Sequence, residues 1–576
     1  MSQLVNEHTL RAAAQSALRD GKDNLRGGEK PKELKNEWKD CLDDVIKISD
    51  TLSTSLGPLG AEKILTDGKH VAVSNFAATI LRKVRVTHPV AQLLIEMCES
   101  IDKELGEGSK TMVVLTGELV KGAKELLDQG FHPLTIAHSY IEASRKAVEF
   151  LDSIAVNEDP LDRGTLLRVI KTAMSQRLDD EDGDYFADII AESLLGVVDQ
   201  ASAKYDVDLS NIKLLCLEGG AARDTQLVHG VVVEQPVVNG FMPKRIENAR
   251  ILLLSAKAPP EPEKFPNDDF INRIEIDDPK KMEEFRKEYD ALLWRMVNKI
   301  ESIGCNVLFH EMLGTHSIHE RVQAYLGKRG ILAARFVDEE DMKRLGRATG
   351  AKRVTAFWHM SEEDLGYAKI VEEREVFKPE LTDPRIRWIF VDGCRDPRAM
   401  TLVVKGLKTS AANTKRTVEH ALRSGSAFLR DPRIVYGGGA VEAVLSFRLK
   451  EWARGMEDRR QMAVMKFAEA LLAIPLLLAK NCGMNSLDTM IALNNRYASG
   501  ENWYGIDCLR RGLRNMEASS VREPLIIKRR VYESAAAAAM VMLRIDRMLK
   551  RKESRDREIP ESVTKTEGYK QTVGKK

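Results

Sequence analysis

Aromatic residues are scarce in this chain, at 6%, so its cores have to be built from Leu, Ile, Val, Met and Ala. Cysteine is also thin. The seven residues are scattered without a CxxC pair, which speaks against a disulfide scaffold and against a structural zinc site. Neither sign of charge dominates. Lys and Arg number 88 against 87 Asp and Glu, for a formal net charge of +1, so no global field draws nucleic acid. Basic residues are interleaved with acids throughout, which argues against a nucleic-acid partner. No apolar run reads as long enough to span a bilayer, and the N-terminus shows no apolar signal core followed by a cleavage site. The expectation is a cytoplasmic protein with no membrane partner. The phosphate-loop pattern G-x-x-x-x-G-K-[ST], the kinase lysine set and paired metal carboxylates are all missing, so an ordinary kinase or P-loop ATPase is disfavoured.

What is present fits a globular chain of several packed domains: 576 residues, 43% apolar and 30% charged. One stretch, Thr51 to Thr111, organises the rest. A helical run there ends in Leu56-Gly57-Pro58-Leu59-Gly60, where two glycines around a proline let bare amides approach a ligand. Val71-Ala72-Val73 reads as a short strand ending at Ser74-Asn75, with a turn between strands expected over Ile64 to Ala72. Gly106-Glu107-Gly108-Ser109-Lys110-Thr111 then precedes an apolar helix expected over Met112 to Leu127. A glycine turn feeding a helix N-terminus is an anion site. The same residues also suit an ordinary helix start capped by Ser109 or Thr111.

Along the chain, residues 1–36 read as a polar arm, and Trp38 as a packing anchor of a helix from Glu37 to Leu56. Helices are expected from Pro89 and from Pro133, the latter to about Leu151, with a strand at Ile212 to Leu217. The acidic run Asp179 to Asp184 reads as a solvated turn rather than a metal site. From Val228 to Gly350, strands (Val228–Val233, Ile251–Leu254, Asn306–Phe309, Ile331–Phe336) alternate with helices (Lys281–Glu301, His319–Leu326, Asp341–Thr349), which suggests an α/β domain. It is interrupted by a proline-rich charged excursion between Ala256 and Asp278. Two further strands, Ile386–Val391 and Met400–Lys405, precede a return to long helices around Gly437-Gly438-Gly439. The tail from Arg551 is charged and almost free of apolar residues, and is expected to be disordered.

These motifs resemble the nucleotide-binding segment of the group II chaperonins, the archaeal thermosome and the eukaryotic cytosolic TCP-1 ring complex. Members of that family typically show LGPKG, NDGATI, HPAA and GDGTT where this chain has LGPLG, NFAATI, HPVA and GEGSK. YLGKRGILAARFVDEEDMKRLGRATGA also matches the family, and the resemblance covers nearly the whole chain. It implies a multidomain α/β chaperonin fold: a mostly helical equatorial domain in two parts (1–154 and 406–550), a small α/β intermediate domain in two parts (155–222 and 370–405), an α/β apical domain (223–369) with a helical protrusion near Ala256 to Arg295, and a disordered tail (551–576). NCGMNSLDTM, ENWYGID, CRDPRAMTLVVKG and REPLIIKRRVYESAAAAAMVMLRIDRML look most like the gamma branch of the eukaryotic ring.

The resemblance further implies ATP and Mg²⁺ as cofactors, paralogous subunits in a double eight-membered ring as partners, and non-native proteins such as actin and tubulin as substrates. The nucleotide would meet Gly57, Pro58, Gly60, Gly108, Ser109, Lys110, Thr111, Gly438 and Gly439. Asp507 and Glu523 would lie near ribose and base, and Arg177 would stand where relatives carry a phosphate-side lysine. Hydrolysis looks impaired. Phe76 replaces a family Asp, Glu107 takes the place of the metal-side Asp, and His420 falls where a second catalytic Asp is usual. Glu107 is the one carboxylate left for a metal, one methylene longer than its counterpart, and Mg²⁺ tolerates misplacement poorly. Lys110, threonine in relatives, offers a cation that neutralises phosphate without metal. A non-catalytic scaffold outside the folding ring is the alternative these substitutions leave open.

Overall fold

The computed structural model describes residues 37–66, 71–83, 89–175, 180–199, 205–255, 278–312, 318–378, 384–406 and 408–545. The expected arm, Arg177, the excursion at 256–277, the charged tail and the side chain of Trp38 lie outside the described residues. The chain forms two compact units, residues 1–43 with 544–576, and residues 44–543. Of the first, the described part is the opening of the helix Glu37–Ser53 and the end of the helix Leu525–Arg544. The second contains the remaining described elements.

Its helical part is contributed by both ends of the sequence. Ser109–Asp128 buries Met112, Val113, Leu115, Leu119, Val120 and Leu126, a spread wider than one face, as expected of a helix enclosed by others. It contacts Arg460–Asn481, which also contacts Pro133–Ile154 and Ala440–Arg454. Pro133 occupies the first turn of its helix, where a missing N–H costs nothing, and the side chain of His132 caps it. The helix Arg460–Asn481 corrects one expectation. It is long and apolar enough by length and composition to cross a membrane, yet 61% of its most apolar window is buried inside the protein. It is a core helix, apolar on several sides because it has several neighbours.

The middle of the chain forms a seven-stranded mixed sheet. Its order is Val231–Val233, Arg385–Asp392, Gly366–Phe377, Arg245–Leu254, Val307–Glu311 and Leu332–Val337, with Arg353–Val354 alongside Leu253 and Leu254. Arg245–Leu254, Val307–Glu311 and Leu332–Val337 run parallel, as strands linked through helices do. The helices Pro279–Ser302, Glu320–Lys328 and Glu339–Thr349 supply Leu293, Met296, Leu326 and Leu345 to the core against this sheet. Gly350 ends the last of them in the left-handed conformation (φ 78°). A separate three-stranded sheet joins distant segments. Ile212–Glu218 pairs in parallel with Met400–Gly406, which pairs antiparallel with Gln226–Val228.

Two local expectations are overturned. The acidic run after Asp179 is no turn, since Asp180–Val197 is a helix. Carboxylates are favourable in the first turn of a helix, and Glu181 and Asp182 pair with Arg223 while Asp184 pairs with Lys171. The turn between strands expected over Ile64 to Ala72 loses its ends to strand: Lys63–Thr66 pairs antiparallel with Val71–Ser74, and residues 67–70 between them lie outside the described residues.

Candidate functional site

Segments within residues 56–111, 172–175 and 420–531 meet around a cavity of about 490 Å³. Three backbone devices shape it. The first is the loop after Glu37–Ser53, which presents Leu56, Gly57 and Pro58. It is fixed from behind by Asn481, whose Nδ2 donates to the carbonyls of Ser53 and Leu56, each at 2.9 Å. The second is the turn 106–108 and the helix it feeds. That helix begins at Ser109, three residues earlier than expected, so Ser109, Lys110 and Thr111 form its first turn. Neither hydroxyl caps it. The N-cap is Gly108 in the left-handed conformation (φ 86°), with no side-chain cap. A Cβ at that position would also come within 2.6 Å of Val531. The first intrahelical bond runs from the Met112 N–H to the Gly108 carbonyl at 2.8 Å, so the amides before it point out of the helix end beside the cavity.

The third device is the turn after the strand Arg433–Tyr436. Gly438 and Gly439 hold φ of 64° and 75° and line the cavity. The Ile506 N–H donates to the Gly438 carbonyl at 2.8 Å, tying the turn to the hairpin Tyr504–Asp507/Gly512–Asn515. Below it lies a buried ion cluster. Lys528 Nζ sits 2.8 Å from Glu442 Oε1 and 2.5 Å from Glu523 Oε2, and the Tyr532 hydroxyl donates to the same Glu442 oxygen at 3.0 Å. Burial alone would lower the Lys528 pKa; the two carboxylates outweigh it and hold the ammonium well above its ordinary value.

Of the expected residues, Gly57, Pro58, Phe76, Glu107, Gly108, Ser109, Lys110, Thr111, His420, Gly438, Gly439, Asp507 and Glu523 all line this cavity. Gly60 does not. Its N–H donates to the Gly57 carbonyl at 3.0 Å, and a Cβ there would strike the backbone of Ser55, so it tightens the loop instead of facing the cavity. Arg177 lies outside the described residues.

Sequence reasoning missed several members. Asp102, four residues before the glycine turn, lines the cavity from Pro89–Leu105. Thr172 and Ser175 line it from the end of Arg163–Met174. Lys528 is the clearest case. A lysine on the apolar stripe of Leu525, Ile527 and Val531 was the available signal, because such a residue is buried only when paired.

Phe76 and His420 form one cluster. The Phe76 and His420 rings meet edge to face, 5.0 Å between centroids. The Arg416 guanidinium lies 5.0 Å over the Phe76 ring and donates to Thr79 Oγ1. Phe76 is 3% exposed and His420 6%. Phe76 and His420 therefore present an aromatic ring and an imidazole, not a carboxylate, to the cavity. Among the described residues, no group of three or more His, Cys, Asp or Glu side chains is arranged to hold a metal ion. The glycine turns, helix N-terminus and cavity suit a nucleotide, and Asp102, Glu107 and Asp507, which line it, are carboxylates of the kind that hold Mg²⁺ together with phosphate oxygens.

Comparison with known proteins agrees with the architecture. The model of the TCP-1/cpn60 chaperonin family matches residues 48–553, and the chain belongs to that family. It is 38% identical to a thermosome subunit of Pyrococcus horikoshii over 501 residues, covering 87% of this chain and 88% of the relative. It is likewise 38% identical to a thermosome subunit of Methanopyrus kandleri over 508 residues (88% and 90%), and 36% identical to the thermosome subunit beta of Archaeoglobus fulgidus over 501 (87% and 89%). These relatives make it a group II chaperonin chain, with the multidomain α/β chaperonin fold.

Proposed function

We propose that this chain is one subunit of a hetero-oligomeric, ATP-driven chaperonin of the cytosol, and that it binds nucleotide in the cavity between Gly57, Ser109 and Gly438 while hydrolysing it weakly or not at all. The carrying observation is the Phe76–His420 contact at 5.0 Å, which puts apolar and imidazole surface at two positions where the family pattern has carboxylates. Hydrolysis requires a positioned water and compensation of developing charge on phosphate. Phenylalanine supplies neither, and displacements near 1 Å alone cost about 100-fold in rate.

A silent member is tolerable only where neighbours hydrolyse in its place. That logic, with the C-terminal motifs, favours a specialised subunit of the gamma branch in a double eight-membered ring over a uniform thermosome. Non-native proteins such as actin and tubulin would be its substrates. The division into equatorial, intermediate and apical domains at about 154, 222, 369 and 405 belongs to the same reading. It is supported by the pairing of Ile212–Glu218 with Met400–Gly406 across the whole inserted middle segment. In this arrangement the subunit transmits nucleotide-dependent motion through its intermediate segments without chemistry of its own. Phosphate release from the native assembly, with this subunit alone carrying a pocket-disabling substitution, tests the reading. Turnover should persist, and loss of most of it would show that this subunit is a principal hydrolyser.

A further inference from the structure

Leu56, Gly57 and Pro58 line the cavity from the loop after Glu37–Ser53, and they leave one free donor. Pro58 has no N–H. The Leu56 N–H donates to the Ser53 carbonyl at 3.2 Å. The Gly57 N–H has no hydrogen-bond partner among the described residues. Its direction is set from outside the loop. Asn481, the last residue of Arg460–Asn481, stands behind it and does not line the cavity. The atom of Asn481 that faces the loop meets two carbonyls, which can only accept, so it is the amide nitrogen. Nδ2 donates to the carbonyls of Ser53 and Leu56, each at 2.9 Å. The Leu56 carbonyl and the Gly57 N–H belong to one planar trans peptide and point opposite ways. Pinning the carbonyl to Asn481 turns the N–H away from Asn481. Gly57 could not hold that direction alone. Its φ is 85°, and glycine takes positive and negative φ about equally well, so the peptide before it is free to reverse. The same helix also backs both glycine devices: a Cβ on Gly57 would come within 2.5 Å of Leu478, and one on Gly439 within 2.7 Å of Pro475.

We propose that Asn481 is a positioning residue for phosphate binding: it locks the Leu56–Gly57 peptide so that the Gly57 N–H faces the cavity and donates to a phosphate oxygen of the bound nucleotide. This rests on the nucleotide-pocket reading above. The Gly57 amide then joins the amides at the start of Ser109–Asp128 as a second set of donors for one anion. A backbone amide carries no net charge, so its contribution depends on direction. With the peptide reversed, the Leu56 carbonyl would meet the phosphate instead, and two acceptors would face each other. Asn481 acts only through the peptide and does not touch the ligand.

The test combines calorimetric titration of the full-length chain with ADP and amide hydrogen exchange in saturating ADP, read on peptides covering 54–60 and 106–112. N481D is isosteric but sets a carboxylate oxygen against both carbonyls, and N481A removes the donor alone; the fold of each is verified by circular dichroism. In the parent, ADP should slow exchange in both segments. N481D should bind ADP about tenfold or more weakly, the loss expected of one hydrogen bond to a charged group. At saturation it should keep the ADP protection of 106–112 and lose that of 54–60, a local pattern that general loosening of the fold would not produce. Should N481D fold poorly, N481A carries the same two readings. ADP affinity within about threefold of the parent in the folded variants, or protection of 54–60 retained or lost together with that of 106–112, overturns the role of Asn481 and leaves the nucleotide pocket standing. A parent that binds ADP and protects 106–112 alone does the same. No heat and no protection of either segment in the parent overturns the pocket reading itself.

Discussion

Replacing Lys528 with methionine is the sharpest probe of how the second glycine turn is held. The side chain is 9% exposed and lies between Glu442, fully buried, and Glu523, 22% exposed. Methionine retains most of the volume, so the cavity contribution should be small and the loss electrostatic. Glu523 can recover some hydration. Glu442 cannot. Its Oε1 would keep the Tyr532 hydroxyl, and its Oε2 has no hydrogen-bond partner among the described residues. An uncompensated buried carboxylate left by removing its partner costs about 3–5 kcal/mol. The pH behaviour follows from the raised pKa of Lys528. A raised folded-state value gives stability that is fully present below the unfolded pKa of about 10.4 and fades only above it, so the penalty should be the same at pH 6 and pH 9. A chain of this size does not unfold in one step, so the readout is amide exchange in the helix after Glu523. Exchange there should quicken by about a hundredfold or more, and K528M/E442Q should regain most of the protection. Exchange within about threefold of the parent would refute the idea that this cluster holds the turn.

Other consequences arise from the same geometry. The double variant F76D/H420D should raise phosphate release from this subunit by at least about tenfold, given that positioned general bases contribute about 10²–10⁴; no gain would mean that these two positions do not limit hydrolysis. Gly439→Ala should lose about 1–3 kcal/mol and weaken nucleotide binding, because φ is 75° and the new Cβ would come within 2.7 Å of Pro475; an unchanged melting profile would contradict it. Burial alone would raise the pKa of Asp431, but Arg433 beside it holds the carboxyl below its ordinary value. A depressed value gives stability that is present above the unfolded pKa of about 3.9 and lost as pH falls through the folded one. D431N should therefore be less stable than the parent at pH 7, with the gap closing in acid; a gap independent of pH would exclude this pair as its source.

Much of this arrangement could be read from the residues. Gly108, Gly438 and Gly439 declared themselves because their turns demand a residue without Cβ, and Pro89 and Pro133 marked helix starts that the structure places there. The alternation of strand and helix from Arg245 to Gly350 was legible as period and punctuation. What stayed hidden depended on partners far along the chain. The bond from Lys110 to the Ser55 carbonyl could not be read from a lysine 55 residues away, and the enclosure of Lys528 by Glu442 and Glu523 depends on a residue 86 positions back in the chain. The apolar positions of the helix Arg460–Asn481 show no single face because they answer to several neighbours rather than one. Gly60 was misassigned for a similar reason. Spacing alone could not tell a glycine that faces the ligand from one that folds the loop behind it.

The central claim is that this subunit keeps its nucleotide while others turn it over. It is tested most directly by electron microscopy of the native assembly incubated with ATP and Mg²⁺. The account predicts two stacked eight-membered rings in which this subunit holds intact nucleotide between Gly57, Ser109 and Gly438, while neighbours hold ADP. ADP in this subunit at the same occupancy as in its neighbours, or an assembly without rings, would contradict it.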